Sequence, residues 1–219
     1  MNDLKTAGAF YAGEHFVLKS GKHSEAYINP DVALTDPYIM AYVTDAMAEP
    51  FKCEQQADLV CVGPAFGGNY LAWDVARKVG EFSGFDVKWI ATAKSPEGGF
   101  IIEPDRGFEK LLIGSNVLVV EDLLTTGGSV MELIESLKRY GDFNLIGVTV
   151  AVNRGGVTAE DLGVPRLHAA AEISIETDVP GNCRWCAMSR PIVTDIGHGA
   201  EFAAKNPGYP GGFKELLAA

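Results

Sequence analysis

The chain has 219 residues, 47% of them hydrophobic, which suits one α/β domain with a modest appendage and excludes a disordered chain. Its 18 Lys and Arg against 29 Asp and Glu leave a net charge of −11, which argues against a broad nucleic-acid surface yet permits a small basic site for one phosphorylated metabolite. Four Cys are too few for a disulfide scaffold, no apolar run reaches membrane-spanning length and Met1-Asn2-Asp3-Leu4-Lys5 lacks a signal-peptide core, so a soluble cytoplasmic protein with no membrane partner is expected.

In chain order, residues 4–11 read as a short helix. Residues 14–18 and 26–29 read as short strands, joined by the polar turn of residues 19–24. Asp36-Pro37 pairs an N-cap with proline at the first helical position. It predicts a helix to about Phe51, with Tyr38, Ile39, Tyr42, Val43, Ala46 and Met47 as its apolar face. A strand over residues 59–62 runs into Gly63-Pro64-Ala65-Phe66-Gly67-Gly68. A helix follows, with Leu71, Ala72, Val75, Ala76 and Val79 on one face. Backbone N–H groups at such a helix start can hold an anion, which makes Gly67 and Gly68 candidates. Residues 87–93 read as another buried strand, after which Lys94-Ser95-Pro96-Glu97-Gly98-Gly99 breaks regular structure.

The chain is organised around Val117-Leu118-Val119-Val120-Glu121-Asp122-Leu123-Leu124-Thr125-Thr126-Gly127-Gly128-Ser129. Four apolar residues suit a strand buried on both faces of a parallel sheet. Glu121 and Asp122 then sit at its C-terminal end, where open α/β sheets bind ligands. Thr125, Thr126, Gly127, Gly128 and Ser129 lead into a helix with Val130, Leu133, Ile134 and Leu137 on one face. Glycines let the backbone approach a phosphate, hydroxyls add donors, and the helix dipole favours the anion. A strand over residues 145–152 ends in Asn153-Arg154-Gly155-Gly156. Thr158 reads as the cap of a short helix, and residues 166–175 contain a further strand.

The thirteen-residue stretch resembles the signature of the type I phosphoribosyltransferases, which bind 5-phosphoribosyl-1-pyrophosphate (PRPP). The resemblance implies an α/β fold with a central, mostly parallel sheet flanked by helices and a small hood from the N-terminal region. It implies a single domain over residues 1–219, with the hood roughly residues 1–35 plus parts of the C-terminal tail and the core roughly residues 36–175. The loop of residues 125–129 would hold the 5-phosphate and Glu121 and Asp122 the ribose hydroxyls. Gly67, Gly68 and Lys94 would meet the pyrophosphate, with Arg106 supporting the loop after Lys94.

The run Phe16-Val17-Leu18-Lys19-Ser20-Gly21-Lys22-His23-Ser24, with Tyr27 and Asn29, resembles one branch of the family, the orotate phosphoribosyltransferases. By that resemblance Lys19 approaches the substrates, Tyr27 and Ile28 cover the orotate ring, Thr125 lies beside it and Arg154 meets its carboxylate. An Arg fork suits a planar carboxylate through two charge-assisted bonds. The implied activity is transfer of phosphoribosyl from PRPP to orotate, with Mg²⁺ bound mainly through PRPP, in a homodimer with shared sites. The implied catalytic residues are Lys94, Glu121 and Asp122. A type I enzyme acting on a purine base and a non-catalytic PRPP-sensing regulator are the alternatives. The region around Lys94 has fewer basic residues than its role in that family leads one to expect.

The tail holds Cys183-Arg184-Trp185-Cys186. A structural zinc needs four ligands, usually from two such pairs. His198 is near in sequence, while Cys53 and Cys61 are distant. Packed free thiols are therefore the preferred reading of Cys183 and Cys186, with zinc the alternative. Residues 213–217 read as a final helical turn.

Overall fold

In the computed structural model, which describes residues 9–52, 58–102 and 107–217, twelve strands and eight α-helices are placed. In chain order they are β1 (Phe10–Val17), β2 (His23–Ile28), α1 (Pro30–Leu34), α2 (Pro37–Ala48), β3 (Leu59–Val62), α3 (Gly67–Ser83), β4 (Lys88–Ile90), β5 (Thr92–Lys94) and β6 (Phe100–Ile102). Then come α4 (Glu109–Leu112), β7 (Asn116–Leu124), α5 (Gly128–Leu137), β8 (Asn144–Asn153), α6 (Ala159–Leu162), β9 (Leu167–Glu172), β10 (Thr177–Asp178), α7 (Arg184–Ala187), β11 (Ile192–Val193), α8 (Gly199–Lys205) and β12 (Phe213–Lys214). The chain divides into two compact units: Leu34–Ile173, and the segments up to Ala33 and from Ser174 onward.

The larger unit is built on a parallel sheet in the order β4-β3-β7-β8-β9. Val117, Leu118, Val119 and Val120 of β7 are fully buried, as an apolar run must be when a strand is covered on both faces. Val117 and Val119 join Val60, Val62, Val148 and Val150 in a core that also takes Phe100 and Ile102 of the β5–β6 hairpin and Leu133 and Leu137 of α5. Each such side chain contributes about 1.5–3 kcal/mol by leaving water. Helices α2 and α3 pack together, α3 lies on β7, and Thr149 of β8 donates its hydroxyl to the Met47 carbonyl at 2.9 Å. A buried polar clasp joins the two helices, where Thr44 hydrogen-bonds Asp74 and Asp74 accepts from Arg77 Nε at 2.8 Å. Asp36 caps α2 as expected, accepting from Tyr38 N and Ile39 N. From β3 the chain goes outward to β4, then returns to β7 on the other side, so the connections diverge at the C-terminal ends of β3 and β7. That divergence opens the crevice where sheets of this type bind ligands.

The expected strand over residues 87–93 is two strands. Only β4 joins the main sheet, at its edge, with Lys88 and Trp89 exposed. At Thr92 the chain is pulled away by side-chain bonds to Gly63 and Asn69 and enters the antiparallel β5–β6 hairpin.

The smaller unit holds a sheet in the order β10-β2-β1-β11-β12. Phe10 and Tyr11, expected in a helix, open β1 and pair with Ile28 and Tyr27, because cross-strand aromatic and aliphatic contacts outweigh local helix propensity. Residues 4–8 of that expected helix lie outside the described residues. The register shifts between Ala12 and Phe16, where Gly13 takes φ +83°. The expected helical turn at residues 213–217 begins instead as β12, held by Ile192 N to Gly212 O and Thr194 N to Lys214 O. One apolar cluster of the unit gathers Phe16, Val193 and Ile196, with Tyr11, Tyr27 and Leu216 against it, and Val17, Leu18, Ile28 and Ile192 are buried as well.

Candidate active site

Strand β7 outruns β3. Their pairing ends at Val62↔Val119, whereas β8 accompanies β7 as far as Asn153↔Leu124. Glu121 and Asp122 lie on this overhang. Glu121 is buried and accepts the Asp122 N–H at 3.0 Å, and Asp122 accepts the Leu123 N–H at 2.6 Å. Local backbone donors thus fix both carboxylates at the sheet edge. Two adjacent carboxylates there suit vicinal hydroxyls and, as hard oxygen donors, a Mg²⁺ ion brought by a polyphosphate.

The loop that follows is shaped by its glycines. Gly127 stands at the N-cap of α5 with φ +80°, and a Cβ there would lie 2.3 Å from Leu162 Cδ2. The position therefore admits only glycine, for backbone and packing reasons alike. Gly127 offers no capping side chain, and the first bond of the helix runs from Met131 N to Gly127 O. The N–H groups of Gly128, Ser129 and Val130 precede that bond, with the positive end of the dipole behind them. Thr126, Gly128 and Ser129 are exposed beside them.

Two more segments close on this cradle. The turn after β8 is fastened to it by Arg154 N and Gly155 N, which both donate to Leu124 O, at 2.8 and 3.2 Å. A Cβ on Gly155 would stand 1.7 Å from the Thr125 carbonyl oxygen, so the two backbones touch. On the other side, the loop after β3 packs against β7: a Cβ on Gly68 would meet Val120 O at 2.9 Å, and one on Gly63 would meet Gly68 O at 2.1 Å. Gly67 begins α3. Thr92 ties the hairpin to this loop. Its hydroxyl donates to Gly63 O at 2.7 Å, and its backbone makes a reciprocal pair with the Asn69 amide at 2.8 and 3.0 Å. Lys94, two residues on, is exposed at the end of β5. The hairpin is held from behind by α5, where Ser136 Oγ accepts from Phe100 N at 3.0 Å. Cys61 on β3 cannot serve as a nucleophile, because complete burial pushes its thiol far above the ordinary range.

Residues 33–166 match the phosphoribosyl transferase domain family. The orotate phosphoribosyltransferase of Caldicellulosiruptor bescii is 39% identical over 190 residues, 87% of this chain and 92% of that one. That of Desulforamulus reducens is 38% identical over 186 residues, 85% and 89% of the two chains. The chain belongs to the orotate phosphoribosyltransferase family. The crystal structure of the Aeropyrum pernix orotate phosphoribosyltransferase is similar at a TM-score of 0.60 and 27% identity, covering 78% of this chain and 92% of that one. An adenine phosphoribosyltransferase from Rhodothermus marinus shares the fold at a TM-score of 0.52 and 15% identity.

Within this phosphoribosyltransferase, backbone contacts of the larger unit bring the turn of Gly67 and Gly68, Glu121, Asp122, the 125–129 loop and the turn that carries Arg154 to the C-terminal end of β7, and Lys94 follows Thr92 on the hairpin. Lys19, Tyr27 and Ile28 belong to the smaller unit. Lys19 is exposed in the turn closed by Leu18 N to Lys22 O at 2.9 Å. The Tyr27 ring packs on Phe16, centroids 5.8 Å apart, and a Cβ on Gly197 would approach it to 3.0 Å. The Ile28 side chain is buried, so any part it has in binding runs through its backbone. Arg106 and Cys53 lie outside the described residues. Sequence reasoning missed Asn69, Thr92 and Gly155. The glycine pair after Arg154 was the only signal for the last, and the Asn69–Thr92 pair spans 23 residues with no local signature.

Proposed function

We propose that this protein transfers the 5-phosphoribosyl group from PRPP to orotate, giving orotidine 5′-monophosphate (OMP) and pyrophosphate, a step of pyrimidine nucleotide synthesis. The observation that carries the reading is the gathering of the 125–129 loop, the two acids and the 63–68 loop at one sheet edge, in a chain whose relatives bear the orotate enzyme's name over most of their length. The N–H groups at the start of α5 and the hydroxyls of Thr125, Thr126 and Ser129 hold the 5-phosphate. Glu121 and Asp122 accept the ribose hydroxyls and favour positive charge at the sugar carbon as its bond to pyrophosphate loosens. Gly67 and Gly68 present backbone to the pyrophosphate, and Lys94 adds a cation. Glu121 and Asp122 would help hold a Mg²⁺ ion bound mainly through PRPP, which would supply positive charge beside the leaving pyrophosphate. Arg154 pairs with the orotate carboxylate beside Thr125, and Lys19 with the backbone at Tyr27 and Ile28 covers the ring.

The ring nitrogen of orotate loses its proton to the departing pyrophosphate or to solvent as it bonds the sugar carbon, so the residues mainly position and stabilise. Lys94 is exposed at the end of β5, and in a homodimer with shared sites the cation at each pyrophosphate would be the neighbouring subunit's copy of it. No helix of the described residues is long and apolar enough to cross a membrane. The test is product formation: PRPP, Mg²⁺ and orotate with the full chain should give OMP and pyrophosphate in equal amounts. PRPP binding without any product would make the protein a PRPP-sensing regulator and overturn the proposal.

A further inference from the structure

The smaller unit brings together four soft ligand atoms from three separate parts of the chain. His15 lies on β1, His23 on β2, and Cys183 and Cys186 flank the start of α7 and its third residue. Their ligand atoms all lie within 4.8 Å of one another. His15 Nε2 is 2.9 Å from His23 Nδ1 and 3.6 Å from Cys183 Sγ. Cys186 Sγ is 3.2 Å from His23 Nδ1 and 3.9 Å from His15 Nε2. A tetrahedron with ordinary zinc bonds to nitrogen and sulfur has N···N edges of about 3.3 Å and N···S edges of about 3.6 Å. The cluster thus has nearly the size of a Cys₂His₂ zinc site.

Its surroundings point the same way. His15 Nδ1 donates to the Arg190 carbonyl at 3.1 Å, which leaves the Nε2 lone pair turned toward the other three ligands. A backbone carbonyl in that position is the usual device for fixing the tautomer of a metal-bound histidine. Tyr209 hydrogen-bonds the same carbonyl at 2.8 Å. Trp185 stacks on His15 and Phe202 meets His23 edge-on, so an aromatic wall surrounds the cluster. Both imidazoles are fully buried and Cys183 nearly so. His198, weighed as a third ligand from sequence, pairs with Glu201 at 3.1 Å instead. A metal-free reading exists: one N–H···N bond between the histidines and two packed thiols. It pairs His15 Nε2 with His23 Nδ1 but leaves His23 Nε2 buried without a hydrogen-bond partner, as a metal on Nδ1 also would, and it gives no reason for two ligand pairs far apart in sequence to converge. A metal supplies one, because a small unit assembled from two segments far apart in sequence gains most from a staple.

We propose that His15, His23, Cys183 and Cys186 bind one zinc ion, joining the β1–β2 hairpin to the C-terminal segment. The site is structural, closed by four protein ligands, and independent of the transferase reading. The test uses the full chain expressed in zinc-supplemented medium and purified without chelator. Elemental analysis should find about one zinc per chain, released when an organomercurial blocks the thiols. Cys183→Ser should lose the metal and Cys61→Ala should keep it. Should Cys183→Ser fail to fold, the wild-type chain grown on Co²⁺ gives an independent readout: a thiolate-to-cobalt charge-transfer band with the intense visible bands of tetrahedral Co²⁺. Substoichiometric metal with no such band, full metal in folded Cys183→Ser, or a metal-free Cys183–Cys186 disulfide would each overturn the proposal.

Discussion

Gly155→Ala probes how Arg154 is held against the phosphate cradle. The new Cβ would stand 1.7 Å from the Thr125 carbonyl oxygen, and the clash is with backbone, which cannot swing aside as a side chain can. Carbon–oxygen contacts close at about 3.3 Å, so the turn or the loop must move by about 1.6 Å. That opens the bonds from Arg154 N and Gly155 N to Leu124 O. At about 0.5–1.5 kcal/mol each, their loss lowers stability by about 1–3 kcal/mol. Function should suffer more, since a displacement of about 1 Å in a reacting geometry can cost about a hundredfold in rate. Gly156→Ala is the control. Its φ of +64° is strained for alanine, but nothing lies within 4 Å of the added carbon. It should cost about 1–2 kcal/mol of stability and leave the cradle in place. Urea unfolding and initial rates of OMP formation, measured on both variants, separate the two effects. If Gly155→Ala turned over no more slowly than Gly156→Ala, the contact between turn and cradle would not be what positions Arg154.

Arg154→Ala should raise the Michaelis constant for orotate by about tenfold or more and leave that for PRPP nearly unchanged, because charge-assisted bonds to a carboxylate contribute about 1.5–3 kcal/mol. Equal effects on both substrates, in steady-state kinetics, would remove its assigned role. Asn69→Ala should lower stability by about 1–3 kcal/mol and raise the Michaelis constant for PRPP, because it strips Thr92 of both amide partners and loosens the strand that carries Lys94. An unchanged constant would mean that the hairpin holds its place without that pair.

Much of the larger unit was legible because its signals are local. The apolar run at residues 117–120 could only be a doubly covered strand, and the glycines at 127 and 128 marked the turn where a helix begins. Arg154 was legible as a residue type at a strand end, but the contact of its turn with Thr125 was not, since it joins loops 30 residues apart. Thr92 shows why the strand at residues 87–93 was misread. A hydrophobic run gives no warning that one hydroxyl will bond a carbonyl 29 positions earlier and draw the chain out of its sheet. The smaller unit was least legible, because its strands are short and their partners lie at the far end of the sequence. Cys183 and Cys186 stood out as a pair, yet His15 and His23 looked like hairpin residues until the fold carried them across some 160 positions. Ile28 was read as a contact for the ring, and its burial restricts it to a backbone part.

The central claim concerns which base accepts the phosphoribosyl group. With PRPP and Mg²⁺ held constant, kcat/KM should be measured for orotate, adenine, guanine and hypoxanthine, following nucleotide formation for each. The account predicts turnover of orotate to OMP and no appreciable product from the purines. Turnover of a purine in preference to orotate would contradict it, leaving the PRPP cradle standing and removing the roles given to Arg154, Lys19 and Tyr27.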